Sequence, residues 1–266
     1  MLFHRTYGSD PGKDWVVFIH GAGGSSAVWF KQVRAFRPFF NILLVDLRGH
    51  GRSSSYDGEG RPYTLESIAG DVFDVMDHQG IERAHFMGVS LGTILIRTMV
   101  DMDGNRVQTA VYAGAVAGFT AMARTLVAAG HSLKYLVPFN ALYAAFAWVI
   151  MPGPKAKEAR EVFRREAKSV HPAEFRRWLR LTREVNERLR TWSRVIRSCP
   201  SLYVMGAKDY LFLPPVRRIV NATEDAFLEV VEGAGHVCNI EQPARFNEVA
   251  LAFLKNRSSS RPVPAS

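Results

Sequence analysis

The chain has 266 residues, 47% of them hydrophobic, with 34 Lys and Arg against 25 Asp and Glu. That length and apolar share fit one large globular domain, or a domain with a substantial insertion, and exclude a disordered chain. No run of about 18 uncharged apolar residues occurs, so no membrane span is expected. The net charge of +9 keeps nucleic acid and acidic surfaces in consideration.

In chain order, the start MLFHRTYGSDPGKDW lacks the basic-then-apolar pattern of a signal peptide. Trp15 to Ile19 and Ile42 to Val45 are compact apolar runs and read as buried strands. A Gly- and Ser-rich loop follows over 48–60. Leu65, Ile68, Val72, Val75 and Met76 then repeat at helical spacing, and Gly80 stops that helix. His85 to Val89 reads as a strand, Leu91 to Met99 as a helix, and Gln108 to Ala113 as a further strand. From 119 to 196 strands disappear, and helices are expected over Phe119–Ala129, Phe139–Ile150, Ala156–Ser169 and Ala173–Ile196. Strands resume at Ser201–Met205 and Ala226–Val231, and Pro243 opens a last helix. This alternation indicates an α/β fold, a mostly parallel central sheet with helices on both faces. The expected core is 1–118 with 197–256, the inserted all-helical cap is 119–196, and 257–266 is a disordered tail.

Gly88-Val89-Ser90-Leu91-Gly92 places a serine between a strand and a helix. A G-x-S-x-G elbow raises such a serine clear of the backbone, although the same residues also occur in plain strand–helix junctions. A nucleophilic serine needs a base and a group that orients it. Asp209 and His236 each lie just after a predicted strand, and in a parallel sheet such positions gather at one edge. Each alone could be a turn residue; together, in the order Ser, Asp, His, they match one known triad arrangement. His20-Gly21-Ala22-Gly23-Gly24 follows the first buried strand and can aim backbone amides inward. The expected oxyanion donors are the N–H groups of Ala22 and Leu91. The loop lacks both the GxxxxGK[ST] and the GxGxxG spacing of phosphate-binding loops.

His20-Gly21, Asp46-Leu-Arg-Gly-His-Gly-Arg-Ser53, the Ser90 elbow, Gly-Ala-Lys-Asp209 and Gly-His236 with Glu241-Gln-Pro243 together resemble the α/β-hydrolase superfamily. The resemblance covers about 15–118 and 200–254. It implies an eight-stranded type of sheet, a helical cap and hydrolysis without a cofactor. Carried over by position, Ser90 would be the nucleophile, Asp209 the acid and His236 the base. His20, Asp46 and His50 are read as residues that order loops. Only 14 residues precede the Trp15 strand, so the sheet is expected to be one strand short. Ala113 to Gly118 offers no carboxylate for the other acid position known in the superfamily. Serine at the elbow argues against the dehalogenase and epoxide-hydrolase branches, which use aspartate there.

Between 151 and 200 there are 14 basic and 6 acidic residues, which accounts for nearly all of the net charge. Trp178, Leu181, Val185, Leu189, Trp192 and Ile196 form an apolar stripe with arginines around it. The charge reads as a solvated cap face, with attraction of an anionic substrate or contact with an anionic membrane surface as the sharper alternatives. No nucleic-acid motif accompanies it. The apolar run Phe139 to Ile150 is expected to line a pocket, with Phe119, Tyr143 and Trp148 as substrate-binding candidates. Cys199 and Cys238 cannot form a disulfide framework, and no CxxC pair suggests zinc, so a reducing, cytoplasmic setting without a metal is expected.

The expected activity is cleavage of an ester-like bond in a small, partly apolar molecule through an acyl-enzyme on Ser90. Thioester, lactone or carbon–carbon cleavage would use the same residues. A non-catalytic binding or signalling protein of the same fold is the rival from another class, but it would need none of these side chains in register.

Overall fold

The computed structural model describes residues 1–133, 137, 139–153, 156–167, 172–192 and 199–258. Its strands are β1 (His4–Tyr7), β2 (Trp15–Ile19), β3 (Asn41–Val45), β4 (Ala84–Val89), β5 (Val107–Ala113), β6 (Ser201–Gly206) and β7 (Ala226–Val231). The helices are α1 (Phe30–Phe36), α2 (Leu65–His78), α3 (Leu91–Asp103), α4 (Ala121–Leu133), α5 (Phe139–Ile150), α6 (Lys157–Ala167), α7 (Pro172–Trp192), α8 (Leu213–Asn221), α9 (Cys238–Glu241) and α10 (Pro243–Ser258).

The seven strands form one sheet in the order β1-β3-β2-β4-β5-β6-β7. Only β1 runs antiparallel; every other neighbouring pair is parallel. Parallel neighbours need crossover connections, and the helices supply them while covering the apolar faces. Accordingly β3, β4, β5 and β6 are buried at every residue, whereas β1 and β7 at the edges are partly open. With seven strands the sheet is one short of the eight-stranded type, as expected, and a single strand, β1, stands ahead of β2. That strand, HRTY, is a short polar edge strand with no apolar alternation to announce it.

Local signals set the helix bounds. Thr64 caps α2 by accepting the Ser67 N–H, and Gly80, at φ 67°, turns the chain beyond its end. The last helix runs to Ser258, two residues into the stretch expected as tail, because Ser258 Oγ lies 2.9 Å from the buried His85 Nε2. The rest of that stretch, 259–266, lies outside the described residues, as do the helix ends expected at Ser169 and Ile196. Helices α4 to α7 all stand between β5 and β6, the position of the expected cap. Both cysteines are buried free thiols. Among the described residues no helix is long and apolar enough to cross a membrane.

A buried ion pair anchors the loop after β3 to α2. Arg48 Nη2 and Nε lie 2.7 and 2.8 Å from Asp71 Oδ2, and Arg61 reaches Asp71 Oδ1 at 3.0 Å. The Arg48 and Asp71 side chains are 0% and 1% exposed. Removing one partner of such a pair strands the other charge away from water, which costs about 3–5 kcal/mol. Asp71→Ala should therefore lower the urea-unfolding free energy by about that amount. A loss under about 1 kcal/mol would show that the pair does not hold the loop.

Candidate active site

In a parallel sheet the strand C-termini share one edge, and the loops after β2, β3, β4, β6 and β7 bring the predicted residues together there. Ser90 sits between β4 and α3 at φ 52° and ψ −115°, a strained backbone for a residue with a side chain. It is held there by Ser90 N–H to Ala113 O at 3.1 Å and by Thr93 Oγ1, which donates to Ser90 O at 2.6 Å. Gly92 permits the tight turn: a Cβ on it would strike the backbone carbonyls of Ile19 and His20.

Ser90 Oγ lies 3.0 Å from His236 Nε2, and His236 Nδ1 lies 2.8 Å from Asp209 Oδ2. A carboxylate can only accept, so Nδ1 carries the proton and Nε2 is left to accept from the serine hydroxyl. The Phe212 N–H donates to the other Asp209 oxygen at 3.2 Å, which fixes the carboxylate plane. Glu241 holds the His236 loop from both sides, accepting the N–H groups of Gly235 at 3.0 Å and Val237 at 3.3 Å. In the sequence Glu241 stands only as part of a motif; its task shows once the loop is folded. His236 and Asp209 are both nearly inaccessible to solvent, at 1% and 3% exposure.

The loop after β2 is ordered by its neighbours in the way expected of His20, Asp46 and His50. Asp46 accepts the N–H groups of Ser26 at 2.7 Å and Arg52 at 2.9 Å. His20 Nε2 accepts from Leu47 N–H and His50 Nε2 from Gly23 N–H, both at 2.9 Å. Each ring donates its Nδ1–H to a backbone carbonyl, Gly21 O and Arg48 O respectively. Since a backbone N–H can only donate, both rings are held neutral. Burial lowers the His20 pKa, and burial together with the neighbouring His20 lowers that of His50 to about 3. Within the loop, Gly23 and Gly24 have committed their amides, to His50 and to Gly21 O. Leu91 is the first residue of α3, where amides have no acceptor inside the helix.

Above Ser90 and His236 lies a cavity of about 140 Å³. The core side is Leu91, Ile94, Val116, Leu211 and Phe212; the cap side includes Phe119, Leu126, Phe146, Trp178, Leu181 and Val185. Among the described residues no charged side chain lines it. Of the three substrate-binding candidates, Phe119 lines this cavity. Trp148 does not: it is 58% exposed on the outer surface, with the Arg160 guanidinium 3.9 Å from its ring centre. Tyr143 is buried but turned to the loop after β2, where its hydroxyl donates to Ala22 O at 2.9 Å. The run Phe139–Ile150 is apolar on every face, so periodicity does not say which face looks inward. Trp178, Leu181 and Val185 belong to the stripe read as amphipathic packing, and that stripe was the available signal for the missed wall.

Residues 16–249 match the family model described as "Alpha/beta hydrolase family". The chain belongs to the alpha/beta hydrolase family. It is similar to 3-oxoadipate enol-lactonase 1 of Acinetobacter baylyi, at 26% identity over 91% of this chain and 88% of that protein. A putative carbamate hydrolase of Caulobacter sp. (strain K31) is 27% identical over 97% of both chains. The crystal structure of the enol-lactonase from Burkholderia xenovorans LB400 shares the fold, with TM-score 0.82, 23% identity and 96% of each chain covered. The protein is a hydrolase of this family.

The neutral His20–His50 pair makes stability depend on pH. A histidine whose folded pKa lies below its unfolded value of about 6.5 contributes stability above pH 6.5 and loses it as pH falls toward the folded pKa. Between about pH 6.5 and 4, unfolding free energy should fall more steeply in the native protein than in His50→Gln. The difference should be about 1.4 kcal/mol per pH unit in urea titrations. Equal slopes would mean that His50 is not buried as a neutral acceptor.

Proposed function

We propose that this hydrolase cleaves ester-like bonds, lactones included, in small neutral apolar molecules through an acyl-enzyme on Ser90. The observation that carries the reading is the hydrogen-bonded chain Ser90–His236–Asp209 beneath a cavity walled by apolar side chains. In the proposed reaction Ser90 Oγ attacks the carbonyl carbon while His236 Nε2 takes its proton. Asp209 stabilises the imidazolium, and the N–H groups of Ala22 and Leu91 hold the oxyanion. Collapse breaks the bond to the leaving alkoxide, which takes the proton from His236. Water, deprotonated by His236, then attacks the acyl carbon; the acid leaves and Ser90 regains its proton.

Cavity size and polarity narrow the substrate. About 140 Å³ is close to the roughly 150 Å³ apolar cavity that accepts one benzene ring, so a group of about six carbons fits. A lactone suits a single such cavity, because its acyl and alcohol parts are one molecule. The enol-lactonase and carbamate hydrolase names of the relatives agree with hydrolysis at an acyl carbon. A carboxylate seated among Ile94, Leu126 and Val185 would be desolvated with no charged partner among the described residues, which disfavours the anionic substrate considered from charge alone.

Ser90→Ala should fold normally and lose kcat/KM by on the order of 10³-fold or more, and Asp209→Asn should lose about 10²–10⁴-fold in kcat. Activity within a few-fold of native in either variant would remove that residue from the mechanism. On a panel of aryl esters, a hexanoyl ester should exceed its ω-carboxy counterpart in kcat/KM by about 10²-fold or more. Preference for the carboxylate would overturn the neutral-substrate reading.

A further inference from the structure

Helix α5 carries a hydroxyl in a stretch that is apolar apart from Asn140, and that hydroxyl reaches out of the cap into the core. The Tyr143 ring is 5% exposed and stacks on Phe163 of α6, with centroids 4.3 Å apart and planes 8° from parallel. Its Oη donates to Ala22 O at 2.9 Å. The same peptide unit, Ala22–Gly23, gives its N–H to His50 Nε2 at 2.9 Å. One peptide plane is thus gripped on both polar atoms, its carbonyl by the cap and its amide by the loop after β3. Rotating it would break two buried hydrogen bonds and leave their partners unsatisfied. Gly23 stands at φ 69°, and a Cβ there would run into the Tyr143 hydroxyl, so the loop and the tyrosine fit each other without spare room.

We propose that Tyr143 is a positioning residue for oxyanion stabilisation: it fixes the Ala22–Gly23 peptide, and through it the direction of the Ala22 N–H. The inference rests on the proposed acyl-enzyme reaction at Ser90, in which the Ala22 N–H is an oxyanion donor. A second strut supports it, for Ser25 Oγ, two residues beyond Gly23, donates to Glu166 Oε2 of α6 at 2.5 Å. Both α5 and α6 therefore touch the loop, and the donor geometry depends on the two helices being seated. Burial raises the Tyr143 pKa well above its ordinary value, so the phenol keeps its proton and donates across the working pH range. Nothing in this geometry makes Tyr143 a wall of the acyl cavity, which separates the proposal from a substrate-contact role.

The two roles differ in what they do to rate and binding. A donor that stabilises only the transition state affects kcat, whereas a substrate wall affects KM. Deleting an oxyanion donor outright costs about 10²–10³ in kcat, and a donor left in place but loosely aimed should cost less. Tyr143→Phe keeps the ring and its stack while removing the hydroxyl. With 4-nitrophenyl hexanoate, kcat should fall about 10- to 100-fold while KM changes less than about three-fold. Phenylboronic acid, which forms a tetrahedral anion on an activated serine, should bind more weakly by a similar factor. Trp148→Phe, on the outer face of the same helix, should stay within about two-fold of native in both readouts.

A kcat within about two-fold of native in Tyr143→Phe would overturn the proposal, as would a loss confined to KM. An equal loss in Trp148→Phe would also overturn it, since the effect would then belong to any disturbance of the cap. If Tyr143→Phe melts below the assay temperature, Ser25→Ala and Phe163→Leu loosen the same seating with Oη retained; unchanged kcat in both would overturn the proposal. Failure of the underlying reading looks different, because native protein and Ser90→Ala would then hydrolyse the ester equally.

Discussion

The site depends on how closely the first turn of α3 lies against the end of β2. Gly92 meets the Ile19 and His20 carbonyls with no room for a side chain, and that contact sets the Ser90 elbow beside the His20-Gly21 loop. An elbow at φ 52° costs on the order of 1–3 kcal/mol, offset by the hydrogen bonds that Ser90 N–H and Ser90 O make to β5 and Thr93. Because the sheet is parallel there, the same edge also receives the loops with Asp209 and His236. Lys208 N–H donates to Ala234 O at 2.9 Å and ties those two loops together. The distances of 2.8 and 3.0 Å along the side-chain chain follow from this backbone packing.

The cap joins the core through specific polar contacts as well as apolar ones. Trp178 Nε1 donates to Arg48 O at 3.3 Å, Tyr63 Oη donates to Glu174 Oε2 at 3.0 Å, and Tyr210 Oη donates to Val149 O at 2.6 Å. Several of its arginines are structural. Arg160 donates to Met151 O and Gly153 O, Arg177 pairs with Glu174, and Arg188 pairs with Glu184 and Glu66. Part of the local positive charge is therefore engaged within α7 or in tying the cap helices to each other and to α2, and the cavity beneath receives none of it among the described residues. Net charge counted along a sequence does not say where the charge points.

What was legible in the sequence follows the same physics. Ser90, Asp209 and His236 were readable because parallel topology sends every strand-end loop to one edge, so chain order and strand ends suffice to bring them together. β1 was not readable: HRTY is short, polar and paired on one side only. Trp148 was misplaced because α5 is apolar all round, leaving composition silent about its inward face. The position of Tyr143 depends on how the cap sits over Ala22, a long-range contact between residues 121 positions apart. The Trp178, Leu181 and Val185 wall carried a clear helical stripe, but a stripe marks a buried face without telling a cavity from a packed core.

The central claim is that Ser90 becomes covalently acylated beneath a neutral apolar cavity. Native protein mixed with excess 4-nitrophenyl hexanoate and quenched in acid within the first turnover tests it directly by intact mass and peptide mapping. The account predicts a mass gain of one hexanoyl group carried by the peptide containing Ser90, and no such gain in Ser90→Ala. Rapid hydrolysis with the acyl group on another residue, or an acylated peptide that persists in Ser90→Ala, would contradict it.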